Sequence, residues 1–217
     1  MTTRIQVAES VLSVNARNAA EVRAGLDARR IFSINLMASP GAGKTSLIER
    51  SVAALKSEMA VAMINGDTSE AAFDAERGQR AGALSVHINT HGKCHLEAAM
   101  VRDALEQLDL GQVKLLIIEN VGNLVCPSAW QLGAHLNVLI ASIPEGDDKP
   151  YKYPKMYSGV DVLVINKIDL LPYVDFRMDY FRRGVETLNP GLVTFPLSCR
   201  TGEGLDAWLD WLRARTA

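Results

Sequence analysis

Residues 38–46, Ala-Ser-Pro-Gly-Ala-Gly-Lys-Thr-Ser, bring together the groups that a polyphosphate needs. A phosphate is held by several backbone N–H groups converging on it, and Gly41 and Gly43 let the chain through Ala42 curl tightly enough to supply them. In this spacing Lys44 bridges the outer phosphates and the Thr45 hydroxyl ligates Mg²⁺, with Ser46 in the same nucleotide-contacting stretch but not itself the metal ligand. The pattern G-x-x-x-x-G-K-[ST] begins here with Ala38, so that position must avoid a backbone conformation open only to glycine.

A second concentration of chemistry lies in residues 115–130, where Glu119, Gly122 and Cys126 follow an apolar run. Glu119 suits a metal-nucleotide complex, Gly122 offers its backbone N–H to the γ-phosphate, and Cys126 suits a soft metal. Pro127 marks the first position of a helix that Cys126 would cap. Cys94 and His95 form another thiol-imidazole pair, expected at a helix N-terminus that would lower the thiol pKa. Alone, such a pair is either a Zn²⁺ or Ni²⁺ ligand set or plain packing; with Cys126 there are three donors. Three is one short of a closed tetrahedral site, leaving an open position or a metal shared with a second copy of the chain.

Asp67, in Gly-Asp-Thr-Ser after an apolar run, has two readings: it holds Mg²⁺ or the attacking water, or it caps the next helix. Asn166-Lys167-Ile168-Asp169 selects the base. Guanine presents N1–H and an exocyclic amine side by side, and the Asp169 carboxylate accepts both, whereas adenine would turn a lone pair toward it. The Lys167 stem lies along the base and Asn166 ties this loop to the phosphate loop. Ser198 and Cys199 supply small side chains and a backbone N–H near guanine O6, the Cys199 thiol itself reading as buried packing.

The elements that must position these groups are short apolar runs at residues 31–37, 60–64, 84–88, 115–118, 137–143 and 161–165, and one ahead of Pro196. Continuous apolar runs alternating with helical segments describe a mostly parallel sheet flanked by helices, the P-loop NTPase form of an α/β fold. Val11, Val14, Val22 and Leu26 give residues 1–30 the pattern of an amphipathic helix packing on a single domain over residues 31–217. Trp208, Leu209, Trp211 and Leu212 form a terminal helix directed into the core, and Glu145 to Lys149 is a surface contact or a solvated loop. The 217 residues, 48% hydrophobic with a net charge of −2, provide one core and no basic footprint for nucleic acid or an anionic membrane. With neither a signal segment nor an apolar run near membrane length, the expected location is the cytoplasm.

Taken together, the motifs closely resemble the HypB family, the accessory GTPases that help insert nickel into [NiFe]-hydrogenase. The resemblance covers nearly everything after the first helix. It rests on Asp74-Ala-Glu-Arg77, Cys94-His95-Leu96, Glu119-Asn-Val-Gly-Asn-Leu-Val-Cys-Pro127, Glu145-Gly-Asp-Asp-Lys149 and the stretch from Asn166 to Phe176. It implies GTP and GDP as ligands with Mg²⁺, a homodimer when GTP is bound, and Ni²⁺ or Zn²⁺ held by Cys94, His95 and Cys126 at the subunit interface. It also implies a nickel-metallochaperone partner and the hydrogenase large subunit as recipients. Residues 1–30 contain neither Cys nor His, so no N-terminal nickel motif or storage tract is expected there. The loop Thr90-His91-Gly92-Lys93 ahead of Cys94 and the Ser198-Cys199-Arg200 stretch depart from the family pattern, and Cys126-Pro127-Ser128 departs from the Cys-Pro-His of the urease-side relatives.

The mechanism expected is a slow switch. GTP-Mg²⁺ orders the loops of Asp67 and Gly122 and shifts the metal ligands through Cys126. With Asn123 in place of a water-orienting Gln, unaided turnover is expected at ~10⁻³ s⁻¹ or lower. The competing readings are a P-loop kinase or ATPase with a structural zinc, a urease-type maturation GTPase, and a zinc module that binds nucleotide without cleaving it.

Overall fold

A computed structural model describes the backbone of residues 2–70 and 72–217, and side chains from Val11 onward apart from Ala71. Seven strands, β1 (Phe32–Ala38), β2 (Ala60–Asp67), β3 (Leu84–Asn89), β4 (Val113–Glu119), β5 (Leu136–Ser142), β6 (Val162–Asn166) and β7 (Val193–Pro196), form one sheet in the order β3-β2-β4-β1-β5-β6-β7. Every pairing is parallel. The inner strands read as unbroken apolar runs because helices cover both faces and neither side meets water.

The helices are α1 (Thr2–Ala28), α2 (Lys44–Leu55), α3 (Phe73–Ala81), α4 (Ala98–Leu105), α5 (Lys149–Lys152), α6 (Pro154–Ser158), α7 (Met178–Leu188) and α8 (Leu205–Thr216). On one face α2 and α8 pack Leu47, Val52, Leu55, Trp208 and Leu212 against β1, β4 and β6. On the other, α1 and α4 bury Val22, Leu26 and Val101 against β2 and β4, and α6 and α7 cover β5 and β6 with Met156, Tyr157 and Phe181. Parallel order aligns all strand C-termini along one edge, and the loops leaving that edge carry the chemistry.

The apolar stripe of α1 differs from the expected one. Val22 and Leu26 are buried, but Val11 and Val14 are 46% and 44% exposed, and the inward face continues instead through Ala19 and Asn15. Asn15 can lie there because both ends of its amide are paired: its Nδ2 donates to the Gln131 carbonyl at 2.8 Å and its Oδ1 accepts from Ala98 N at 2.8 Å. No described helix is long and apolar enough to cross a membrane.

Candidate nucleotide and metal sites

Strand β1 ends in the loop 39–43 and turns directly into α2, so the first helical N–H groups point at the strand edge. Gly43, at φ 103°, begins this helix in a left-handed conformation, and a Cβ there would collide with the Asn166 side chain. Ala38 ends β1 and is absent from the residues with positive φ, so the missing first glycine costs the loop no strain.

A cavity of about 510 Å³ opens over this loop, lined by Gly41, Gly43, Lys44, Thr45, Ser46, Asp67, Asp74, Arg77, Glu119 and Gly122, among others. Lys44 is almost fully buried; burial lowers its pKa, and Glu119, Asp74, Asp67 and Glu145 act in the opposite direction. Glu119, at the end of β4, is 2% exposed and is held at both oxygens: Thr45 Oγ1 donates to Oε1 at 2.8 Å and Asn65 Nδ2 to Oε2 at 3.1 Å. Burial pushes its pKa up to about 6 against those two hydrogen bonds and the charge of Lys44. A carboxylate so deeply buried beside a hydroxyl and under-supplied with positive charge suits a hard divalent cation, which would restore its ionised form. Asp67 does not cap the next helix, which begins at Phe73 behind Ala72 with no side-chain cap. It lines the cavity while its Oδ1 accepts from Ser69 N at 2.8 Å, bracing the loop.

Glycine at 122 has a steric reason. A Cβ there would stand 3.2 Å from Pro40 Cα, so the two loops meet backbone to backbone where the outer phosphates would sit. On the base side, Asn166 Nδ2 donates to the Ala42 carbonyl at 2.9 Å, and Asn166 Oδ1 accepts from Lys167 N at 2.8 Å and Cys199 N at 3.2 Å. Lys167 adopts φ 64° and its Nζ reaches the Gly41 carbonyl at 2.6 Å. Ser198 Oγ donates to Asp169 Oδ1 at 2.6 Å and accepts from Arg200 N and Thr201 N, fixing the carboxylate against its loop. Cys199 is buried, and burial lifts its thiol to about 11.

Cys94, His95 and Cys126 come together although 31 residues separate the pair from the second cysteine, and their donor atoms all lie within 4.8 Å of one another. The thiols approach to 2.7 Å, and Cys94 Sγ lies 3.8 Å from His95 Nδ1. The Trp130 indole stacks on His95 at 4.4 Å between centroids and an angle of 21°. His95 Nε2 is buried without a hydrogen bond, with Glu97 Oε1 3.8 Å away, and burial lowers the imidazole pKa. A neutral imidazole beside two thiols is a donor set for a borderline or soft metal.

Two local expectations fail. Helix α4 begins at Ala98 behind Glu97, so Cys94 and His95 sit in an irregular loop ahead of it and gain nothing from its dipole. Cys126 is the first residue of a short 3-10 turn, Cys126–Ala129, capped by Val125; its pKa is raised, chiefly because Cys94 is hydrogen-bonded to it.

Several residues of the site have no role assigned from the sequence: Asn65, Asn120, Trp130 and the cavity-lining pair Asp74 and Arg77, the last two and Asn120 entering only through the family-like stretches. Arg77 forks onto Glu49 of α2 with bonds of 2.9 and 2.6 Å. Asn65, a polar residue after the apolar run that opens β2, is the one local signal among these that pointed to a site role.

A phosphate loop between β1 and α2, an acid on the adjacent strand and the Asp169 carboxylate after β6 define a P-loop nucleotide-binding domain with a thiol-imidazole cluster beside it. The sequence model of the family described as "CobW/HypB/UreG, nucleotide-binding domain" matches residues 32–195. The hydrogenase maturation factor HypB of Rhizobium leguminosarum bv. viciae is 43% identical over 213 residues, covering 98% of this chain and 71% of that protein. Of solved structures, HypB from Helicobacter pylori in complex with nickel superposes with a TM-score of 0.88 at 35% identity, covering 93% of this chain and 94% of that one. HypB from Archaeoglobus fulgidus gives 0.88 at 33%, covering 94% and 100%. The chain belongs to the HypB family.

Proposed function

We propose that this chain is a GTP-hydrolysing metallochaperone that assists nickel delivery into [NiFe]-hydrogenase. The observation that carries the proposal is a continuity: one segment, residues 119–126, runs from the acid facing the phosphate cavity, past the glycine packed on the phosphate loop, into the metal cluster. Gly41, Ala42, Gly43, Lys44, Thr45 and Ser46 bind the phosphates; Asn166, Lys167, Asp169, Ser198 and Cys199 form the base pocket. Thr45, with Glu119 and Asp67 directly or through water, would hold Mg²⁺, which neutralises charge on the transferring phosphoryl group. Lys44, already desolvated, stabilises the outer phosphate; Glu119 and Asp67 orient the attacking water, and the Gly122 N–H registers the γ-phosphate. Without an inserted arginine or a water-orienting Gln at Asn123, hydrolysis stays slow, at ~10⁻³ s⁻¹ or lower.

Nickel is the cargo, and Zn²⁺ is accepted by the same donors. Three ligands leave a position through which metal can enter and leave, and pairing of two copies in the GTP state would place two such clusters at one interface. The partners are a nickel-metallochaperone and the hydrogenase large subunit, met in the cytoplasm. The test measures nickel stoichiometry and oligomeric state by native mass spectrometry with GDP and with a non-hydrolysable GTP analogue. Tighter dimerisation and altered nickel content with the analogue are expected; identical values in both states overturn the coupled reading. Preference for ATP over GTP by calorimetry would instead favour a kinase or ATPase with a structural zinc.

A further inference from the structure

Directly after Glu119, Asn120 is completely buried, and its side-chain amide is bonded both to the next residue and to two distant parts of the chain. Its Oδ1 accepts from Leu96 N at 3.2 Å and from Val121 N at 3.0 Å. Its Nδ2 donates to Asn35 Oδ1 at 3.2 Å, and Asn35 passes the chain on to Asn137 Oδ1 at 2.9 Å. One amide oxygen thus holds the first peptide beyond the His95 ligand together with the peptide that leads into Gly122.

The other side of the same short segment is fixed by a different element. Ala98 N donates to Asn15 Oδ1 of α1, and Asn15 also holds the carbonyl of Gln131, next to the Trp130 that stacks on His95. Residues 96–98 are therefore strung between two buried asparagines, one at the nucleotide-facing end of β4 and one on a helix that does not touch the phosphate cavity. Buried polar groups resist losing a partner, because an unmatched N–H or C=O has given up water without a replacement bond.

We infer that Asn120 is a positioning residue that relays movement of the Val121–Gly122 backbone to the His95 side of the metal cluster, with Asn15 as the fixed anchor against which that movement acts. This is a second line between the sites, separate from the continuous chain to Cys126, and it rests on the nucleotide-metal coupling proposed above. When the Gly122 loop is drawn toward a γ-phosphate, Val121 N moves. The shared oxygen then follows it and loosens Leu96 N. The two amides thus change together, and the strain falls on the peptide that follows His95.

The test compares amide hydrogen exchange and nickel affinity in the GDP and non-hydrolysable-analogue states, followed by the nickel-thiolate absorption band. In the unmodified protein, protection of the Leu96 and Val121 amides is expected to change in concert, and nickel affinity to differ between states on the order of 10-fold, within the usual range for linked sites. Asn120→Ala should reduce that ratio to within about 2-fold. Asn15→Ala should weaken nickel about 10-fold in both states and keep the ratio, the range over which support residues tune metal sites. Asn120→Asp, which keeps the accepting oxygen, should retain part of the ratio.

A ratio unchanged in Asn120→Ala, or a Leu96 amide indifferent to nucleotide while Val121 responds, overturns the inference and leaves the coupled function standing. A wild-type ratio of one removes both. Should Asn120→Ala fail to fold, the exchange measurement on the unmodified protein decides.

Discussion

The two sites are built from different materials. The nucleotide side consists of backbone at the ends of regular elements: the β1 loop entering α2, the end of β4 at Glu119 and the end of β6 at Asn166. Its polar atoms are spoken for before any ligand arrives, as in the bonds from Thr45 and Asn65 to Glu119 and from Asn166 to Ala42. The metal side consists of three half-buried side chains on loops, with an imidazole nitrogen left without a hydrogen bond and two thiols 2.7 Å apart. One end is pre-organised and the other is poised. A switch needs both, since a ligand can move only what is not already fixed.

The comparison is broken most severely by changing a group on the rigid side whose loss nothing nearby can repair. Asp169→Asn replaces the acceptor pair for guanine by one acceptor and one donor. GDP affinity should fall on the order of 10⁴-fold, the scale seen when a site built for a polar partner loses its match. Xanthosine diphosphate, which carries a carbonyl where guanine has its amine, should bind the variant better than GDP does. Calorimetry with both nucleotides checks this. Equal GDP affinity in variant and parent would place the base elsewhere, and nickel binding should be untouched without nucleotide.

Glu119 sharpens the comparison by a smaller amount, because its rigidity is costly. The folded-state pKa of about 6 lies above the ordinary 4.5, so the folded protein holds this proton more tightly than the unfolded chain. Stability from this group is complete below pH 4.5 and is lost as pH rises through 6, a fall of about 2 kcal/mol in the nucleotide-free protein. Glu119→Gln cannot titrate, so its loss of stability between pH 4.5 and 7.5 should be smaller than the parent's by about that amount, read from urea denaturation at each pH. The same variant should hydrolyse GTP far more slowly. If parent and variant show parallel pH profiles, folding does not shift the Glu119 pKa.

What could be read beforehand divides along the same line. A mostly parallel sheet was legible because doubly covered strands leave unbroken apolar runs, and the phosphate and guanine loops because a ligand's shape dictates short, contiguous residue patterns. Cys94, His95 and Cys126 could be named as donors, but no local pattern announces that loops 31 residues apart meet. Asn15 was passed over for Val14 because hydropathy alone ranks valine as the inward residue. The inward position is decided by bonds to Gln131 and Ala98, partners 116 and 83 residues away. Asn120 and Trp130 were missed for the same reason: their roles exist only in contacts that folding creates. The helix starts at Ala98, later than expected, because Glu97 before it is extended, with φ −112° and ψ 153°.

Trp130 provides the mildest perturbation, and for that reason the most discriminating one. Its indole covers one face of His95 without offering the metal a ligand, so it orients the ring and excludes water but cannot define the donor set. Aromatic stacking of this kind contributes about 0.5–1.5 kcal/mol beyond burial, which corresponds to a loss of roughly 2- to 12-fold in nickel affinity for Trp130→Ala. Trp130→Phe, which keeps a ring face, should recover most of it, and GDP affinity should remain at the parent value in both variants. A loss beyond 100-fold would mean that the loop had collapsed and that the metal side depends on the same kind of packing as the nucleotide side. No loss at all would mean that His95 is held by the metal alone. The intermediate outcome is the one a poised site requires: a ligand loose enough to move with the Gly122 loop, yet held closely enough that the movement reaches the metal.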